Sequence, residues 1–293
     1  MFMPSRATLW VGLVALGISC GRSSDQRQYA LHGQVLSIAA NRQQATIKHD
    51  EIKGFMAAMS MPYTVHDPKE LEGLAPGDLI DAKLILLSND AYLTGVTRVG
   101  QAPLEQPLAE RAAPAASSGF ELLKPGEEVP DAAFLDQDGK KRSFRSFKGS
   151  IVVITFIYTR CPFPTFCPLM DRHFAAIQAK LKDDQALARR VRLVSVSFDP
   201  LTDTPPVLKQ HARTLGADPK RWTFLTGDRD DIDRFDSRFG IGVARSLNDQ
   251  RDITHNLRTA IVDAEGKLVK VYIGNEWTPD QVLADLKPVA GAD

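Results

Sequence analysis

The chain is predicted to fold as two domains of different class, a small all-β domain followed by an α/β domain. Three observations predict this. Between Tyr29 and Val99 short strand-like runs are separated by turn residues; from Gln101 to Ser118 the composition shifts to Pro, Ala, Gln and Ser; beyond Gly119 strand and helix patterns alternate. At 293 residues, 43% hydrophobic and 25% charged, the chain can fill two cores, and neither half has a disordered composition. Lys plus Arg balance Asp plus Glu at 36 each, so nothing in the charge suggests the footprint of a nucleic-acid binder or a strong attraction to acidic membranes.

The first 20 residues read as an export signal: Arg6 as the positive flank, an apolar run from Ala7 to Ile18, then small or polar residues before Cys20. The run is too short to span a bilayer comfortably. Gly17-Ile18-Ser19-Cys20 resembles the lipobox of bacterial lipoproteins, with Gly17 where leucine is usual. The resemblance implies that Cys20 is lipidated and tethers the chain to the periplasmic or cell-surface side of a bacterial membrane. Cys161 and Cys167 are then the remaining cysteines, in a compartment that oxidises stray thiols.

After a polar spacer, residues 29–100 carry five strand patterns, Ala30 to Ile38, Gln44 to Lys48, Pro62 to Val65, Leu79 to Leu87 and Tyr92 to Val99. Turns such as Ala75-Pro76-Gly77-Asp78 and Ser88-Asn89-Asp90 separate them, and five short strands predict a small closed barrel of the OB type. Three of the chain's six methionines, Met56, Met59 and Met61, follow His49 in one short run. Thioether sulfur is soft, and with an imidazole it suits Cu(I). Strand alternation puts Met59 and Met61 on one face. The competing account is a methionine-lined apolar face with His49 in a solvated turn. At these residues the chain resembles the CusF-like periplasmic copper-binding barrels, which implies His49, Met59 and Met61 as ligands. The tryptophan that caps the metal in that family is missing; Met56 stands in its place, as a third thioether or a hydrophobic lid, and the spacing back to the histidine is one residue shorter.

Residues 101–118 form a linker that allows the domains to move relative to each other. In the second domain, 119–290, a buried strand is expected at Ile151 to Tyr158, a helix from Pro168, a strand at Val191 to Phe198, and helices at about Thr204 to Leu215 and Asp228 to Phe239. A hairpin from Leu257 to Asp263 and Leu268 to Ile273 follows, then a helix from about Thr278 to Leu286. The order is that of a thioredoxin-like α/β sandwich with its cysteine loop at the carboxyl end of a central strand.

Cys161 and Cys167 cannot share a helix face at about 100° per residue, so a loop must bring them together. Pro162 and Pro164 disfavour helix before them, and Pro168 suits a first helical position. Cys167, just ahead of that position, is expected to feel the helix dipole and favour thiolate. The pair is a structural disulfide, a redox dithiol or a set of metal ligands. His255, at the hairpin entrance, is a third soft candidate, and two thiolates with one imidazole suit Cu(I) or, with the histidine, Cu(II).

Here the chain resembles the SCO/SenC family of thioredoxin-like copper proteins, through Tyr158-Thr159-Arg160-Cys161-Pro162, Cys167-Pro168, Ser197-Phe198-Asp199-Pro200, Asp203-Thr204-Pro205 and His255. The resemblance implies Cys161, Cys167 and His255 as metal ligands, Asp199 near the site, and delivery of copper to the copper-site subunit of cytochrome c oxidase. One departure is the Cys-x5-Cys spacing, against the family's Cys-x3-Cys. That keeps open a thiol-disulfide oxidoreductase cycling Cys161 and Cys167, although thioredoxin's Cys-x2-Cys and its proline before the final hairpin are both absent. A peroxidase would need more activation than Arg160 alone offers. His32, His66, His173 and His211 read as non-ligands, His173 on a solvated helix face, and Trp222 and Trp277 as packing residues.

Overall fold

The computed structural model describes residues 26–56, 58–104, 121–245 and 253–291. The export segment with Cys20 and linker residues 105–120 lie outside the described residues. Among the described residues no helix is long and apolar enough to cross a membrane.

The first domain is an antiparallel sheet of β1 (Arg27–Ile38), β2 (Gln44–His49), β3 (Met59–Thr64), β4 (Asp78–Leu86) and β5 (Ala91–Gln101), in the order β3-β2-β1-β4-β5. β3 starts three residues before the expected Pro62, because Pro62 lies on an edge strand where its missing N–H costs no ladder bond. Register shifts at Val35/Ser37, Leu79/Ile80 and Asp81/Lys83 bend the sheet around Leu31, Val35, Ile47, Tyr63, Ile80 and Leu84. The expected closed ring is not formed. β3 ends after Thr64, too early to run a ladder along β5, and the two edges meet at one isolated parallel bridge, Val65 to Leu93.

The second domain is built on a seven-stranded sheet, whose members are β6 (Ala133–Asp136), β7 (Lys141–Ser143), β8 (Ile151–Ile157), β9 (Val191–Ser197), β10 (Trp222–Thr226), β13 (Arg258–Val262) and β14 (Leu268–Ile273). Its order is β14-β13-β8-β9-β10-β6-β7, with β8, β9 and β10 parallel and β13 antiparallel to β8. A short pair, β11 (Val243–Arg245) with β12 (Ile253–His255), precedes β13. The helices are α1 (Cys167–Lys180), α2 (Gln185–Arg190), α3 (Pro205–Thr214), α4 (Arg229–Arg238) and α5 (Pro279–Ala290). Every residue of β8 is buried, Thr155 included, as a run that is otherwise apolar requires of a central parallel strand. Met170, Phe174 and Ile177, continued by Leu181 at its C-cap, form the buried stripe of α1, which packs with α5 over β8. Trp222 and Trp277 are core residues, and the Trp222 indole donates to Ser195 Oγ at 2.9 Å. His173 is a correction: it is half-buried with its ring 4.6 Å from that of Trp277, because α5 and the loop before it cover that side of α1.

In mid-strand, Gly33 of β1 faces His49 across the ladder and leaves no room for a side chain. A Cβ there would lie 2.6 Å from the Lys48 carbonyl oxygen and 2.9 Å from His49 Cα, both backbone atoms. Gly33→Ala should therefore destabilise the β-domain by about 1–3 kcal/mol. Urea denaturation followed by circular dichroism checks this; an unchanged midpoint would mean that β2 yields without cost.

Candidate metal centre

β8 ends at Ile157, and the chain enters the cysteine loop through Tyr158 and Thr159. The loop is fixed at its start by Asp203, which is fully buried: its carboxylate accepts from Thr159 N at 2.9 Å, Thr159 Oγ1 at 2.5 Å and Ser197 Oγ at 2.6 Å. Its far end is held by Asn275, which donates to Thr165 O at 2.8 Å, and by Arg172, which donates to Pro164 O at 3.0 Å. Since β13 runs antiparallel to β8, the segment before it returns to the carboxyl end of β8 and delivers His255 there.

The sulfurs of Cys161 and Cys167 and an imidazole nitrogen of His255 lie within 4.8 Å of one another, and both cysteines are free thiols. His255 donates Nδ1–H to the Asn256 carbonyl at 2.8 Å and aims Nε2 at Cys167 Sγ, 3.7 Å away. Asn256 is itself locked, accepting from Gly242 N at 3.0 Å and donating to Gly240 O at 2.8 Å. Such outer partners fix the tautomer of a ligating histidine. The rings of Phe198, at 4.5 Å, and Tyr158, at 5.5 Å, enclose the imidazole.

Thiolate character falls on the other cysteine from the one expected. Cys167 is the first residue of α1, but burial pushes its thiol well above the usual range, and the neighbouring Cys161 sulfur adds to the shift. Cys161 is held well below that range, chiefly by a hydrogen bond from Cys167 and further by His255. Desolvation outweighs the helix end here, because Cys167 is only 1% exposed. Asp199 is buried and accepts from Arg160 Nε at 2.8 Å, so it reaches the site through Arg160.

The methionine set assembles as the strand pattern predicts. His49 and Met59 are direct cross-strand partners, Met61 faces Ile47, and Met59, Met61 and Tyr63 share the inward face of β3. His49 is 1% exposed rather than in a solvated turn, since it ends β2 against the Tyr63 ring, 5.6 Å away. It donates Nδ1–H to Asp50 O at 2.7 Å, and its buried Nε2 has no partner among the described residues. Burial lowers its pKa, so this nitrogen carries a lone pair at neutral pH. Met56 lies beside the set, its sulfur accepting from the Tyr63 hydroxyl at 3.8 Å. An orphaned imidazole nitrogen beside thioethers fits a soft metal ion.

The two sets face each other. A cavity of about 260 Å3 has Met56, Met59 and Met61 on one wall and Cys161 and His255 on the other, with Phe163 between them. Sequence reasoning missed Phe163, the Tyr63 hydroxyl and the structural duty of Asp203. The signal for Phe163 was an aromatic residue placed between two prolines in a polar setting.

Residues 124–291 match the SCO1/SenC family model, and residues 28–98 match that of the copper binding periplasmic protein CusF. The chain belongs to the SCO1/SenC family. An SCO1 protein homolog of Bacillus subtilis is 34% identical over 162 residues, covering 55% of this chain and 81% of the relative. Among solved structures, BsSco, a member of the Sco family of cytochrome c oxidase assembly proteins, is 32% identical with a TM-score of 0.50, covering 59% of this chain and all of that one. A SCO1/SenC family lipoprotein from Bacillus anthracis is 30% identical with a TM-score of 0.51, over 58% of this chain and 99% of that one.

The split between the two thiols has a direct readout. In the reduced apo protein at pH 7, iodoacetamide should alkylate Cys161 at least about tenfold faster than Cys167, since only the thiolate attacks. Peptide mass spectrometry gives both rates, and equal rates would contradict the assignment.

Proposed function

We propose that the protein is an extracytoplasmic copper metallochaperone, tethered through Cys20, that delivers copper for assembly of the dinuclear copper centre of cytochrome c oxidase. The observation that carries this reading is the convergence of three soft donors, Cys161, Cys167 and His255, within 4.8 Å at the end of β8. Two thiolates and a bare imidazole nitrogen match Cu(I) in softness and number. Copper displaces the Cys167 proton, which would otherwise keep that sulfur a thiol, and the partly exposed Cys161 is the side on which an acceptor's ligands can attack. The methionine set, His49, Met59 and Met61 with Met56 at its edge, holds a second copper as Cu(I). Thioethers bind more weakly than thiolates, so copper runs from the β-domain to the cysteines. The family and the copper-binding description of the model matched by 28–98 support this reading.

A second reading has its own support. The unequal acidity of two unbonded cysteines is what a thiol-disulfide reductase needs, one sulfur to attack and one to resolve. The similar BsSco is described as carrying a disulfide switch. The reduced dithiol would then act on cysteines of an oxidase subunit.

Anaerobic Cu(I) titration separates the readings. The wild type should hold two copper ions, and Cys161→Ser/Cys167→Ser and Met59→Leu/Met61→Leu one each. A cysteine variant that keeps both, in a protein that turns over disulfide substrates, would make the second domain a reductase.

A further inference from the structure

Phe163 is only 4% exposed, yet it is buried in the core of the other domain. Its ring lies 5.9 Å from Tyr63, edge to face, and 6.3 Å from Phe55. A further tie across the interface runs from Arg172 of α1 to the Asn89 carbonyl at 3.2 Å. Phe163 is carried by the five residues between the cysteines, so the lengthened loop that separates Cys161 from Cys167 is also the element that enters the β-domain. It enters beside the thioethers and lines the same cavity as Met59, Met61 and Cys161.

We propose that Cu(I) passes from Met59 and Met61 to Cys161 inside this shared cavity without entering solvent, and that Phe163 is the positioning residue that holds the two walls together. The inference rests on the two-site chaperone reading. In the transfer, the bonds from copper to the Met59 and Met61 sulfurs and to His49 Nε2 break one after another as bonds to the Cys161 and Cys167 sulfurs and to His255 Nε2 form. The Cys167 proton leaves to water, copper stays Cu(I), and no electron moves. The thioethers are left neutral, so the vacated wall holds no uncompensated charge.

The test uses the full mature chain, reduced and anaerobic, mixed in a stopped-flow instrument with one equivalent of Cu(I) as its acetonitrile complex, and reads thiolate-to-copper absorbance. In the wild type, copper should reach the cysteines in a phase whose rate does not change with protein concentration. In Phe163→Ala that phase should slow by about tenfold or more and become concentration-dependent, as expected when an intramolecular step turns intermolecular. The cysteine site should still fill at equilibrium. Phe163→Leu, which keeps the plug apolar, and Phe55→Leu, which weakens the same contact from the other wall, should fall between. If Phe163→Ala does not fold, these two variants decide. An unchanged rate in them, or cysteine loading just as fast in Met59→Leu/Met61→Leu, would overturn the relay while leaving the two-site chaperone intact. Cysteines that take no copper in the wild type would overturn the chaperone reading itself.

Discussion

The buried carboxylate of Asp203 ties the end of β8 to the end of β9, and the metal-ligating geometry descends from that tie. Its three bonds go to Thr159 N, Thr159 Oγ1 and Ser197 Oγ, two residues from Cys161 on one side and two from Asp199 on the other. Removing it would leave donors buried without partners, at about 1–3 kcal/mol each. The loop therefore leaves the sheet in one direction only. Arg160 is then set against Asp199, and Cys161 is set opposite the first turn of α1, where Cys167 waits. The Asp199-x3-Asp203 spacing thus has a physical meaning: one acid pairs with the loop's guanidinium, and the other anchors its backbone.

Two histidines on unrelated elements are prepared in the same way. His49 and His255 each give Nδ1–H to a main-chain carbonyl of the next residue, Asp50 and Asn256; Nε2 of His255 points at Cys167 Sγ, and that of His49 is buried with no partner among the described residues. A carbonyl can only accept, so the bond selects one neutral tautomer without needing a carboxylate. That choice suits a cargo site. A carboxylate partner would make the imidazole more basic and the copper harder to give up.

Much of this was legible in the sequence because it depends on local pattern. The all-buried run of β8, the α1 stripe and the cysteine, histidine and methionine positions follow from periodicity and from the chemistry of rare residues. What was not legible depends on tertiary contact. The closed ring was expected from strand number alone, but closure is set by the length of β3 and the turn after Thr64. Thiolate was assigned to Cys167 from its place at a helix start, but the depth of its burial belongs to the assembled sheet. His173 looked solvated on a helical wheel, which cannot see that Trp277 returns to cover it. The hairpin β6–β7, helix α2 and strand β10 went unseen because each is short, and short elements are chosen by the neighbours they pack against.

The division of ligand types between the domains follows from charge. Thioethers carry no charge of their own, so Met59 and Met61 can sit against the apolar core of a small β-sheet. Thiolates are charged once they bind, and they need a place where negative charge is tolerated. Cys167 lies at the amino end of α1, and Arg160 lines the same cavity as Cys161. In the proposed transfer, a copper ion crossing from one wall to the other would exchange neutral ligands for anionic ones. The same asymmetry makes the cysteine wall sensitive to oxidation and the methionine wall much less so. Disulfide formation would remove both anionic ligands and leave the neutral site as the place where Cu(I) can rest.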